Sequence, residues 1–75
     1  MENLSFVKMH GLGNDFIIID TRNLDFRPNP NQIKYLSNRR LGIGCDQLVL
    51  IKNSEDGIAD SQILIFNSDG SEAES

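Results

Sequence analysis

Two residue types that usually build sites are almost missing from this chain. In 75 residues there is one cysteine, Cys45, and one histidine, His10. A single thiol excludes an internal disulfide, and one of each residue cannot furnish the ligand set of a structural zinc site, so no metal is expected. Cations are scarce too: seven Lys and Arg stand against eleven Asp and Glu, a formal net charge of −4. Nucleic-acid modules need a surplus of cations to neutralise phosphates, and this balance argues against that class. No apolar run approaches the roughly 20 residues that span a bilayer. The opening MENLSFVK lacks the charged-then-apolar layout of a secretory signal. The expectation is a cytoplasmic protein with neither a nucleic acid nor a membrane as partner. A domain of this size buries only about 60% of the surface its unfolded chain exposes. With no covalent or metal staple, it depends on aliphatic packing or on further protein.

What is present reads as strand, glycine turn, strand, helix, glycine turn, strand, loop, strand. Residues 5–10 form a plausible first strand, GLGN at 11–14 is a turn signal, and FIIID at 16–20 is an apolar, β-branched run typical of a strand buried on both faces. Together they predict a hairpin with a glycine-rich tip. Pro30 at a first helical position, with Asn29 before it as N-cap, predicts a helix start. Ile33 and Leu36 fall on one face of that helix. Arg39 and Arg40 suit its C-terminal dipole and Gly42 suits its stop, which makes the helix about three turns long. LVLI at 48–51 and ILIF at 63–66 are two further strands, with the polar loop KNSEDGIAD between them.

One internal echo stands out. GLGNDFIII and GIGCDQLVL align at an offset of 31 residues, each as Gly-aliphatic-Gly-x-Asp-x followed by three aliphatics. Two copies are too few for a repeat protein. They do use the same device twice: a flexible loop, an acid, then a strand. Nucleotide binding would need a strand, the Gly-x-Gly loop and then a helix. Here each loop leads into a strand, with no third fingerprint glycine and no P-loop lysine. FNSDGSEAES also fails as a calcium loop, because the first ligand position would fall on Ile65.

Asn14, Gln47 and Asn67 each sit beside a glycine turn or at a strand end. Their amides offer donors and acceptors together, which suits a ligand bearing both carboxylate and ammonium. The plainer reading is that each completes its own turn. On the residues alone both readings stay open. Cys45 lies between Gly44 and Asp46, and a neighbouring acid opposes a reactive thiolate, so it reads as a buried small hydrophobe. Nothing in the sequence orients His10 as a base. Asp15 and Asp46 read as loop-anchoring acids rather than a catalytic pair.

KMHGLGNDF, NRRLGIGCDQ and IFNSDGSE, in this order and at this spacing, resemble the N-terminal part of diaminopimelate epimerases. The resemblance covers essentially the whole chain and is strongest at residues 8–16, 38–47 and 65–72. It implies an α/β fold of the mixed α+β kind, a mixed sheet wrapped around a helix, and two such domains with the active site between them. It also implies a homodimeric isomerase of lysine biosynthesis that inverts LL-diaminopimelate to the meso form with two cysteines and no cofactor. By the same resemblance Asn14, Gln47 and Asn67 are substrate contacts, and Cys45 is not one of the catalytic pair. The family pattern leads from FNSDGSEAES into Cys-Gly-Asn-Gly. The first catalytic cysteine is therefore expected directly after Ser75, and the second in a C-terminal domain outside this chain. On that expectation residues 1–75 are a partial N-terminal domain, inactive alone. The alternatives are a subunit of a split enzyme, or a non-catalytic remnant or binding domain of the same fold.

Overall fold

The computed structural model describes residues 5–22, 24–54 and 61–73. Most of the loop expected between the last two strands lies outside these residues. Five elements follow in order: β1 (Val7–Gly11), β2 (Asn14–Asp20), α1 (Pro30–Ser37), β3 (Gln47–Lys52) and β4 (Gln62–Asn67). The four strands form one mixed sheet in the order β1-β2-β3-β4. The outer pairs are antiparallel, and the central pair, β2 with β3, is parallel.

The β1–β2 hairpin turns on two residues, Leu12 and Gly13. Their φ values of 52° and 83° have the positive signs of a type I′ turn, whose twist matches that of the strands. β2 is not buried on both faces as its apolar run suggests. Its burial alternates, with Asp15, Ile17 and Ile19 buried and Phe16 and Ile18 only half-buried. The reason is that α1 covers one face of the sheet while the other is left open among the described residues. Ile33 and Leu36 of α1 pack on Ile17, Ile19, Leu48 and Leu50, and Cys45 fills the edge of this core.

The helix starts where Asn29 and Pro30 predict. Asn29 Oδ1 accepts from Gln32 N at 2.8 Å, and Gln32 Oε1 accepts from Asn29 N at 2.8 Å, a complete capping box. It stops earlier than expected: eight residues, about two turns, ending at Ser37 rather than running on to Gly42. Asn38 is the cause. Its side-chain oxygen accepts from the backbone N–H of Arg40 and of Leu41, an alternative to helical pairing that pulls the chain out of the helix. Arg39 and Arg40 therefore lie beyond the helix instead of on its last turn. The loop then folds back on the helix end, with Ile43 and Gly44 N–H both donating to Leu36 O.

Candidate functional site

Residues paired across strands point to the same side of a sheet, and neighbours along a strand alternate. The register therefore sorts the open face into rows. Val7, Ile18, Val49 and Ile65 make one apolar row across all four strands. The next row is Met9, Phe16, Gln47 and Asn67, and Asn14 lies one step further along the same face of β2. The three amides singled out in the sequence thus share one face at one end of the sheet, although 33 and 20 residues separate them in turn.

Their local bonding differs. Asn67 is engaged in a tight return of the chain: Gly70 N–H donates to its carbonyl, its own N–H donates to Ser71 O, and Asn67 Nδ2 donates to Ser71 Oγ at 3.1 Å. Asp69 Oδ1 accepts from Ser71 N and Oγ, which holds its carboxyl below the usual value. The chain then runs back along β4, with Ala73 N–H donating to Ile65 O. For Asn67 the turn-completing reading is thus realised, and a ligand role would come in addition to it. The side-chain amides of Asn14 and Gln47 make no hydrogen bond among the described residues. They are not spent on turns.

Next to these two amides, on the α1 side of the strand ends, lies a charged knot that the sequence only half disclosed. Asp15 N–H donates to Asp46 Oδ2 at 2.9 Å, and Asp46 N–H donates to Asp15 Oδ1 at 2.9 Å and to Asp15 O at 3.1 Å. The acids of the two echoed motifs thus cap each other's backbone, the anchoring role expected of them. Arg39 closes the knot. Its Nη1 and Nη2 donate to Asp15 Oδ2 and Oδ1 at 2.8 and 2.9 Å, and Nη2 also reaches Asp46 Oδ1 at 3.2 Å. Lys8 Nζ lies 3.3 Å from Asp15 Oδ2. The bidentate Arg39 holds the Asp15 carboxyl far below the usual carboxylate range, and Asp15 in turn raises Arg39. Gly44, at φ +88°, makes room for this arginine: a Cβ there would stand 2.9 Å from Arg39 Cα. Sequence reasoning treated Arg39 as a helix-end charge. The only available signal was its position in NRRLGIGCD, just before the second echoed acid.

His10 lines a shallow depression of about 460 Å³ with Asn14, Asp15, Arg39 and the hairpin tip, and a second one of about 400 Å³ lies beyond Arg39, beside Lys34 and Asp69. Gln47 and Asn67 line neither. Cys45 is buried at 3% exposure, with its Sγ 3.4 Å from Ser37 Oγ. It is packed as the small hydrophobe expected. Among the described residues no group of three His, Cys, Asp or Glu is placed to hold a metal ion, and no helix is long and apolar enough to cross a membrane.

Comparison with known proteins meets this geometry from another side. The family model described as diaminopimelate epimerase matches residues 6–75. A diaminopimelate epimerase of Nitrosospira multiformis is 54% identical over 71 residues, covering 95% of this chain and 25% of the relative. Those of Zymomonas mobilis and Gluconobacter oxydans are each 54% identical over 70 residues, covering 93% of this chain and 26% and 27% of the relatives. The chain spans about a quarter of the length of these curated relatives. With the match extending over both echoed loops and the return after β4, the chain belongs to the diaminopimelate epimerase family.

Proposed function

We propose that residues 1–75 are the N-terminal part of an enzyme that epimerises diaminopimelate, and that Asn14, Gln47 and Asn67 hold the substrate by an amino-acid group. The observation that carries this reading is the coincidence of the family match with three amides at one end of one sheet face. A substrate with carboxylate and ammonium groups needs donors and acceptors side by side, and an amide supplies both.

Inversion at Cα without a cofactor takes two bases. A thiolate on one face removes the α-proton, and a thiol on the other face delivers a proton to the carbanion from the opposite side. The α-proton is weakly acidic, so donors placed around the carboxylate must stabilise the developing negative charge, and water must be excluded. The cysteine in hand, buried against Ser37, is poorly placed to serve. In this reading both catalytic thiols come from outside residues 1–75, the first directly after Ser75 and the second from a C-terminal domain. Cytoplasmic lysine biosynthesis and a homodimer go with the same reading.

The test is α-proton exchange from LL-diaminopimelate in deuterium oxide. The purified 75-residue chain is expected to give none, and the complete polypeptide containing it to give rapid exchange with epimerisation. Exchange by the short chain alone would sink the two-cysteine reading. In the complete polypeptide, Asn14→Ala, Gln47→Ala and Asn67→Ala are each expected to raise KM. Unchanged KM in all three removes the site assignment.

A further inference from the structure

We propose that Arg39 is a positioning residue for substrate binding: by bridging Asp15 and Asp46 it fixes the separation of the neighbouring Asn14 and Gln47 amides. The inference rests on the reading of those two amides as substrate contacts, and it concerns a residue whose hydrogen bonds go to their neighbours Asp15 and Asp46.

Its basis is where the sheet stops. The regular pairing of β2 with β3 begins at Phe16 and Gln47, so Asn14 lies beyond the ladder. The crossed Asp15–Asp46 hydrogen bonds continue the pairing past that point and join the start of β2 to the residue before β3, next to the amides. That closure gathers two carboxylates around one point, and neighbouring like charges repel. Arg39 resolves this by donating to both, with Lys8 adding a second cation at Asp15. His10, opposite Asp15 in the register, is the other titratable group facing the knot from β1. A planar fork fits this geometry and a point charge does not, because Asp15 is held through two parallel bonds. The Arg39 side chain is itself 56% exposed. Its loss should therefore loosen the loop junction more than the core.

The experiment compares the complete polypeptide carrying this segment with its Arg39→Lys, Asn14→Ala/Gln47→Ala and combined triple variants. KM and kcat for diaminopimelate are measured alongside the thermal midpoint. The expected result for Arg39→Lys is a KM raised roughly tenfold, the scale of one misplaced hydrogen bond. Its kcat should stay close to parental, while the melting midpoint falls by the share of the Asp15 stabilisation that the bidentate contact carries. In the Asn14→Ala/Gln47→Ala background the same lysine substitution should add nothing, since the groups it positions are gone. A KM unchanged by Arg39→Lys, with Asn14→Ala/Gln47→Ala impaired, overturns the positioning role and leaves the substrate-contact reading standing. An equal, independent rise in the triple variant also overturns it, because Arg39 would then act on the substrate directly. A parental KM in Asn14→Ala/Gln47→Ala removes the contact reading and this inference with it. Should Arg39→Lys fail to fold, Asp46→Asn probes the same link. It keeps an acceptor for Asp15 N–H but weakens the hold of Arg39, and the same non-additive rise in KM is expected. A parental KM in that variant overturns the proposal.

Discussion

The Asp15 carboxylate gathers one backbone amide, a bidentate arginine and a lysine, and the residue's own N–H is capped by the partner acid. Its folded-state carboxyl titrates well below its unfolded one, chiefly through Arg39. The stabilisation is therefore complete above the unfolded carboxylate value of about 3.9 and is lost as pH falls towards the depressed folded value. Asp15→Asn removes it. Urea midpoints of the complete polypeptide should favour the parent at neutral pH, with the gap to Asp15→Asn closing as the pH drops below about 4. A gap that stays constant into acid would count against the assigned cause. Asp20 follows the same logic on the surface: the Arg22 side chain lowers it to about 2. The sequence disclosed the two acids through their 31-residue echo, and disclosed Arg39 only as a cation at the helix end, not as their partner. An ion pair across 24 residues follows no period and leaves no composition signal, whereas a repeated motif does.

At the scale of elements, the helix shows which sequence signals were readable. Its start obeys local chemistry that is written in adjacent residues, Asn29, Pro30 and Gln32. Replacing Asn29 by alanine leaves one orphan N–H and disables the capping box, at a cost of about 1 kcal/mol. Denaturant unfolding of the Asn29→Ala variant measures it, and an unchanged midpoint would show that the core alone fixes the helix start. Its end was misread because Gly42 and the arginines mimic a C-terminal signature, while the actual stop is the Asn38 side chain competing for backbone N–H groups. The strands were legible from their apolar runs, and so was the β1–β2 hairpin, but the parallel pairing of β2 with β3 was not. Nothing in FIIID says that one of its faces would stay uncovered. The amide triad was legible as three separate residues. Its convergence on one face depended on the register, which only the assembled sheet supplies.

Across the whole molecule, the row Val7, Ile18, Val49 and Ile65, flanked by Met9, Phe16, Ile51 and Ile63, gives the sheet an apolar side that no described element covers. Val7, Met9 and Ile63 are half or more exposed. Contiguous apolar surface on a small domain calls for cover. The isolated 75-residue chain is expected to bind a hydrophobic dye such as ANS and to self-associate with rising concentration in sedimentation. A dye-silent monomer with a sharp, reversible melt would contradict this. The scarcity of staples in the composition suggested a need for cover, but only the layer arrangement locates the exposed side.

The parallel pairing at the centre of the sheet also sets an order of events in time. Each outer hairpin joins strands close in sequence, but β2 meets β3 only by pairing residues 31 apart in the chain, across a connection that contains the helix. Loop closure is the entropic toll on non-local contacts, and it slows their formation. Asn14 travels with the first hairpin, and Gln47 and Asn67 travel with the second. The three amides are therefore not together in either half, and on this order they meet only when the halves dock. Pulse-labelled amide exchange during refolding of the complete polypeptide should find the hairpin amides protected before the Asp46 N–H. On that order, the last thing this segment makes as it folds is the end of the sheet where the three amides meet.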